Sequence, residues 1–242
     1  MAHPAHAIVL AAGRGNRMRP LTDQVPKPLL DVQGKPLLQW HADALADAGC
    51  VDLVINTAWL GEQIPEHFGP HPRSSDGLPM DIAYSAEGED FGYALETAGG
   101  IARALPLLGE VFWVVAGDVF APGFPFDPDA LARFARGDRL AHLWLVPNPD
   151  HNPRGDFGLS PEGLALNGGE PRHTYSTIGL YRRALFEAPW FDIPPGNPQG
   201  RAEPLAPLLR RAMDAGRVSA ELYTGPWTDV GTPERLAELN AR

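Results

Sequence analysis

The stretch from residue 7 to residue 30 constrains this chain more than any other. Ala7–Leu10 is a short apolar run that reads as a buried strand. It passes directly into Ala11-Ala12-Gly13-Arg14-Gly15, a loop of small residues. Arg14, Arg17, Arg19 and, after a turn, Lys27 then set four cations against the single Asp23, in a chain whose formal net charge is -10. Glycines behind a strand let backbone N–H groups approach phosphate oxygens. Cations beside such a loop point to a polyphosphate ligand. Two other glycine loops are excluded. The dinucleotide fingerprint needs a third glycine for close helix–strand packing, and Met18 stands there. The P-loop needs Gly-Lys-Ser/Thr after its spacer, and no such string follows this strand.

Strand-like and helix-like runs alternate behind the loop. Pro36–Ala48 carries Leu37, Leu38, His41, Ala44, Leu45 and Ala48 on one helical face, with Gly49 at its end. Leu53–Asn56 and Ile82–Ser85 read as strands, and Leu60–Phe68 and Ala94–Leu105 as helices. Val111–Ala116 is an unbroken apolar run, the mark of a central strand covered on both faces. The order β-α-β-α-β-α-β predicts an α/β fold with a parallel-rich sheet and helices on both sides. Beyond Asp118 the order loosens. Helices are expected at Asp129–Arg136, Leu205–Ala215 and Thr232–Asn240. Strands are expected at Ala141–Val146, Phe157–Leu159, Leu164–Leu166 and Tyr175–Tyr181. No linker separates two cores among the 242 residues, so one domain is expected, with a nucleotide half over about 1–120 and a sugar half over about 121–242.

The acidic balance argues against a polymeric nucleic acid or an anionic membrane as partner, but leaves room for a mononucleotide in a local basic pocket. No apolar run approaches the ~18 residues of a membrane span, and MAHPAH lacks a signal pattern, so a cytoplasmic protein is expected. Cys50 is the only cysteine and reads as a small buried hydrophobe. His41 reads as a satisfied core residue, and His3 and His6 as part of a frayed tail. Neither zinc-ligand spacing nor a Gly-x-Ser-x-Gly elbow occurs. Asp127-Pro128-Asp129, the one Asp-x-Asp string, falls at a helix start where capping accounts for it.

Two carboxylates stand out. Asp118 follows the apolar strand and Gly117, where open α/β sheets bind ligands. Asp229 lies in Trp227-Thr228-Asp229-Val230-Gly231-Thr232. Each alone is compatible with a turn or a cap. Together they suit Mg²⁺, which takes one or two carboxylates plus substrate phosphates.

LAAGRGNRMRPLT (Leu10–Thr22) followed by PKPL (Pro26–Leu29) resembles the signature of the sugar-1-phosphate nucleotidyltransferases. Gly117-Asp118 and WTDVGT resemble two further strings of that family. The resemblance implies a Rossmann-like, three-layer fold of the GT-A-like type with a mixed, mostly parallel sheet. It implies transfer of a nucleotidyl group from a nucleoside triphosphate to a sugar-1-phosphate. Nucleotide contacts would fall on Leu10, Ala11, Ala12, Gly13, Gly15, Arg17 and Lys27, with Glu87 and Gly99 beside the base. Arg17, Lys27 and Asp118 would be catalytic, and Asp118 and Asp229 would hold Mg²⁺. Asp118, Asp229, Arg154, Asp156 and Arg172 would contact the second substrate.

Within the family, LETAGG (95–100), VINTAWLG (54–61), RGDF (154–157) and LAPLLRRAM (205–213) resemble the small uridylyltransferases that make UDP-N-acetylmuramate in cell-wall recycling. UTP and N-acetylmuramate-1-phosphate are the substrates so implied, for a monomer or homodimer. Guanylyl transfer to mannose-1-phosphate and thymidylyl or uridylyl transfer to glucose-1-phosphate remain open beside it, as does a non-catalytic nucleotide-sugar-binding protein. Two departures stand out. Asp90–Ala94 is an extra stretch before LETAGG, expected to alter a lid over the base. Glu170-Pro171-Arg172 replaces the family's Glu-Lys-Pro, which leaves Arg172 to take the lysine's place on the sugar phosphate.

Overall fold

The computed structural model describes residues 5–241; His3 lies outside them. The chain runs β1 (Ala5–Leu10), a small hairpin β2 (Asp31–Val32) and β3 (Lys35–Pro36), α1 (Leu37–Asp47), β4 (Asp52–Thr57), α2 (Gln63–Phe68), β5 (Asp81–Ala86), α3 (Glu87–Phe91) and α4 (Glu96–Ala104). It continues through β6 (Leu108–Ala116), β7 (Val119–Phe120), α5 (Pro128–Arg136), β8 (Ala141–Val146), β9 (Phe157–Leu159), β10 (Ala165–Leu166) and β11 (Arg172–Arg182). It closes with α6 (Leu205–Asp214), β12 (Val218–Leu222), β13 (Thr228–Asp229) and α7 (Pro233–Asn240).

One nine-stranded mixed sheet organises these elements. β6, β1, β4 and β5 are neighbours in that order and parallel. β11 pairs antiparallel with β6 and with β8, and β12 lies parallel to β8. The period of two along β1 sorts its side chains: Ile8 packs with α4 and α6 on one face, Ala7 and Val9 with α1 and α2 on the other. A third apolar cluster supports the signature loop from below. Met18, where the dinucleotide fingerprint has glycine, is fully buried there with Phe120, Val230 and Leu236. The residue that excludes the dinucleotide fold is therefore the anchor of this one.

Several elements differ from expectation. β12 is not expected from the sequence, because Val-Ser-Ala-Glu-Leu has only a weak alternation. The second helix starts at Gln63, since Leu60 takes a left-handed φ of 48°. α4 starts at Glu96, whose φ is 58°, not at Ala94. His6 belongs to β1 and not to a frayed tail. Cys50 is half-buried rather than buried, and burial beside Asp52 pushes its thiol up to about 12. His41 is buried, with Nε2 2.8 Å from the Val119 carbonyl, and Asp127 caps α5 through the Asp129 N–H. Among the described residues no helix is long and apolar enough to cross a membrane.

Candidate active site

β1, β4, β5 and β6 run parallel, so their carboxyl ends share one edge of the sheet. A cleft of about 500 Å³ opens there, lined by Leu10, Asn56, Glu87, Ala116 and the loop Ala11–Met18. Gly15 has a φ of +67°, and a Cβ on it would sit 3.0 Å from Thr22 Cγ2, so glycine is required by the chain itself. At Gly13 a Cβ would meet no protein atom within 4 Å. Its open α-carbon faces solvent, as a loop that admits a ligand to its backbone requires.

The four cations of the signature do different work. Arg14 lies 3.4 Å over the Trp59 ring and donates to the Thr22 carbonyl at 2.9 Å and to Asp23 at 3.1 Å. Trp59 Nε1 donates to the same carbonyl at 2.9 Å. Arg19 pairs with Asp23 at 2.9 Å. Lys27, nearly buried, places Nζ 2.7 Å from Asp118 Oδ2 across the cleft floor. Arg17 is exposed, lines the cleft and has no protein partner among the described residues. It is the cation that a phosphate can take without displacing another.

The loop is tied down by a buried chain of hydrogen bonds. Ala11 N–H donates to Asn56 Oδ1 at 2.7 Å, and Asn56 Nδ2 donates to Glu87 Oε1 at 2.7 Å. Glu87 Oε2 accepts from Leu95 N–H at 2.7 Å. Burial raises the Glu87 carboxyl above its ordinary value, against these two donors and the more distant Arg103. Glu87 thus braces the glycine loop and the start of α4 from within, with both oxygens engaged. Gly100 leaves room for it; a Cβ there would lie 2.5 Å from Glu87 Oε1.

Gly99 does not face the cleft. A Cβ on it would lie 2.4 Å from the Arg201 carbonyl oxygen, and its N–H donates to the Glu203 carbonyl at 3.1 Å. Its expected place beside the base is corrected to a packing role under the 197–203 loop. Asp90–Ala94 packs on the same loop: Tyr93 Oη donates to the Gly200 carbonyl at 3.0 Å, and Phe91 lies under Gly200.

β7 and β13 pair with Val119 opposite Asp229, and Val230 N–H donates to the Asp118 carbonyl at 2.9 Å. Two acidic residues from distant parts of the chain are thereby brought to neighbouring backbone positions. Asp118 lines the cleft and is half-exposed; Asp229 does not line it, but Gly231 does. Asp229 Oδ1 meets His151 Nε2 at 2.8 Å and pairs with Arg235. The helix cap that follows is Thr232, not Asp229. Two carboxylates are donors of the kind that suits Mg²⁺ completed by substrate phosphates; a self-sufficient cage of three or more ligating side chains is absent among the described residues.

A second cavity, of about 350 Å³, shares Leu10, Thr97 and Ala116 with the first. The two are one continuous cleft. The second part is walled by Val114, Phe157, Tyr175 and Leu209, with Asp156, Thr177 and Arg210 as polar lining. Asp156 accepts from Tyr175 N–H at 2.8 Å and from Asn152 Nδ2 at 3.2 Å. Thr177 has a φ of 64° where the β11–β8 register shifts. Arg154 and Arg172, expected to contact substrate, line neither part. Arg154 is exposed in the turn before Gly155, whereas the guanidinium of Arg172 donates to the Asp156 carbonyl. Asn56 and Arg210 are site residues that the sequence does not single out. Both lie inside strings that match the family, VINTAWLG and LAPLLRRAM, but no local chemistry sets them apart.

Residues 6–160 match the family model described as nucleotidyl transferase. The chain is 48% identical to an N-acetylmuramate alpha-1-phosphate uridylyltransferase of Neisseria meningitidis, over 97% of this chain and 96% of that one. It is 31% identical to a protein of the same description from Caulobacter vibrioides, over 99% and 97%. Among solved structures, a Bacillus anthracis chain in complex with a sucrose has a TM-score of 0.75 at 20% identity, covering 98% of this chain and 94% of that one. HddC from Yersinia pseudotuberculosis has a TM-score of 0.68 at 18% identity, covering 97% of each. Both share the fold.

Proposed function

The chain belongs to the nucleotidyl transferase family, and on that premise we propose that it transfers uridylyl from UTP to N-acetylmuramate α-1-phosphate. The products are UDP-N-acetylmuramate and pyrophosphate, and the setting is peptidoglycan recycling. The observation that carries the reading is the convergence of Arg17, which has no protein partner among the described residues, the open Gly13 and the Lys27–Asp118 pair at one end of a cleft that continues into a second, largely apolar part.

An oxygen of the sugar phosphate attacks the α-phosphorus of UTP. A new P–O bond forms, the bond between the α-phosphorus and its bridging oxygen breaks, and the electron pair leaves with pyrophosphate. The attacking oxygen is already anionic, so no general base is needed. The work left to the protein is to hold two mutually repelling anions in line and to balance charge as it moves. Gly13 and Gly15 offer backbone N–H groups to the triphosphate. Arg17 holds the departing pyrophosphate. Lys27, fixed at 2.7 Å from Asp118, sets a positive charge at the floor where the two phosphates meet. Asn56 and Glu87 keep the loop in place through Ala11. Members of the family generally use a divalent metal; here Asp118 and Asp229 would hold Mg²⁺, which supplies Lewis-acid neutralisation of triphosphate oxygens. The first part of the cleft takes the nucleotide and the second takes the sugar.

The test is pyrophosphate release measured over a matrix of nucleoside triphosphates and sugar-1-phosphates. UTP with N-acetylmuramate-1-phosphate is expected to give the highest kcat/KM. A higher value for glucose-1-phosphate or mannose-1-phosphate, with any triphosphate, overturns the reading.

A further inference from the structure

Among the described residues, one cation lines the sugar part of the cleft. Its lining includes a single arginine, Arg210, and a single carboxylate, Asp156, among otherwise apolar or neutral groups. Arg210 reaches the cavity from α6, where Leu205, Leu208 and Leu209 bury the helix against the sheet. Its guanidinium is held from two sides. Nη1 donates to Asn167 Oδ1 at 2.6 Å, and the group lies 5.1 Å over the Phe157 ring. Asn167 is itself oriented, because its Nδ2 donates to both oxygens of Asp214, at 3.1 and 3.3 Å. That orientation leaves Oδ1 as the only side-chain acceptor Asn167 can offer Arg210.

Only Nη1 has a hydrogen-bond partner among the described residues. Nε and Nη2 form the side of the guanidinium fork suited to two parallel bonds with a carboxylate. Asp156 does not compete for them, since it is engaged by Tyr175 N–H and Asn152. The cavity therefore offers one pre-oriented cation in an apolar surround, in a chain of net charge -10. A carboxylate on the sugar would find in this group a charge-assisted, two-point partner that a hydroxyl cannot match.

We propose that Arg210 determines specificity by pairing with the carboxylate of an acidic substituent on the sugar, the lactyl carboxylate in the reading above. The assignment rests on that reading. It replaces Arg154 and Arg172, which stand outside the cavity. Asn167 and Phe157 act through Arg210 as positioning residues.

The experiment compares wild type and R210M with UTP and two sugars, N-acetylmuramate-1-phosphate and N-acetylglucosamine-1-phosphate, which lacks the lactyl group. Methionine keeps an apolar stem over Phe157 and removes the charge. The ratio of kcat/KM for the two sugars should fall about 10- to 100-fold in R210M, as expected for losing a charge-assisted bidentate pair. The fall should sit in KM for the lactyl sugar. R210K keeps the charge without the fork and should restore part of the ratio. A role confined to packing α6 would lower both sugars alike and leave the ratio unchanged; that outcome overturns the assignment. Should R210M not fold, R210K decides alone, since an unchanged ratio there also overturns it. The two failures are separable. A wild type without preference for the lactyl sugar refutes the substrate reading and the assignment with it. A wild-type preference that survives in R210M refutes Arg210 alone.

Discussion

Replacing Asn56 by aspartate tests the brace behind the glycine loop at a single atom. The two side chains are isosteric, and the Oδ1 that accepts from Ala11 N–H is retained. The other terminal atom changes from a donor to an oxygen facing Glu87 Oε1, where Asn56 Nδ2 now lies 2.7 Å away. Both groups are buried. Two carboxylate charges about 3 Å apart repel by roughly 6 kcal/mol at an effective dielectric constant of 20. Taking up one proton at pH 7 instead costs about 1.4 kcal/mol per pH unit above an ordinary carboxyl value near 4, or about 4 kcal/mol. The smaller cost wins, and the variant folds with one proton shared between the introduced carboxylate and Glu87. The folded pair then titrates above its unfolded value. The folded state holds a proton that the unfolded chain has released, so stability falls as pH rises from about 4 through the raised value of the pair. Urea unfolding of wild type and N56D should show a deficit of up to about 4 kcal/mol at pH 7, shrinking by about 1.4 kcal/mol for each unit the pH is lowered towards 5. A deficit that is constant between pH 5 and 8, or smaller than about 1 kcal/mol at pH 7, refutes the hydrogen-bond order Ala11–Asn56–Glu87.

Three further outcomes are expected. R17A should lower kcat/KM at least about 100-fold with its unfolding midpoint unchanged, whereas R14A should cost about 1–2 kcal/mol of stability and far less activity, because Arg14 braces Thr22 and Trp59; equal kinetic losses would contradict this division. D118N should lower kcat at least about 100-fold, and EDTA should abolish turnover that Mg²⁺ but not zinc restores; an essential stoichiometric zinc would refute the magnesium assignment. His41 is held neutral by burial, with its pKa lowered to about 4 from 6.5, so the unfolded chain takes up a proton that the folded chain refuses. Stability should therefore drop as pH falls through that window, by about 2 kcal/mol between pH 7 and 5, and H41Q should lose this slope in urea titrations at the two pH values.

How far the sequence carries depends on the range of the interaction concerned. The strand, the glycine loop and Lys27 lie within about twenty residues, and the order of strands and helices in the first half follows from their apolar periods. Arg17 and Arg14 are separable from the motif alone, but the reason is not. It lies in Trp59 and Thr22, which meet only when β4 places VINTAWLG beside the loop. Asn56 looks like any polar residue at a strand end until the parallel register with β1 sets Asn56 opposite Leu10. The sugar half is the least legible. The family strings single out Arg154, within RGDF, and Arg172, in the place of the family's lysine, yet neither lines the cleft. Arg210 sits on α6, whose periodicity says only that Leu205, Leu208 and Leu209 are buried. That their neighbour on the helix faces Phe157 is a fact of tertiary packing.

The pairing of charges explains how so acidic a chain keeps a site for two anions. Lys27 is matched by Asp118, Arg235 by Asp229, and Arg14 and Arg19 by Asp23. An uncompensated cluster of cations in a partly desolvated cleft would cost folding energy through mutual repulsion. Paired, the cations persist in the free protein, and their partners are carboxylates of the kind a divalent metal takes as ligands. Were Asp118 to hold a divalent metal, Lys27 would be released to a phosphate, so that charge partners would be exchanged and no bare charge created. Arg17 stands outside this exchange and gives the first phosphate a cation at no cost in broken pairs. Of the five non-glycine residues with positive φ among the described residues, two, Glu96 and Thr177, line the nucleotide and sugar parts of the cleft. Such backbone costs about 1–3 kcal/mol each and persists only where surrounding contacts enforce it. Here the enforcing contacts are Glu87 on Leu95 N–H, immediately before Glu96, and the register shift of β11 around Thr177. Two of the strained positions thus stand where the chain turns a wall towards the cleft.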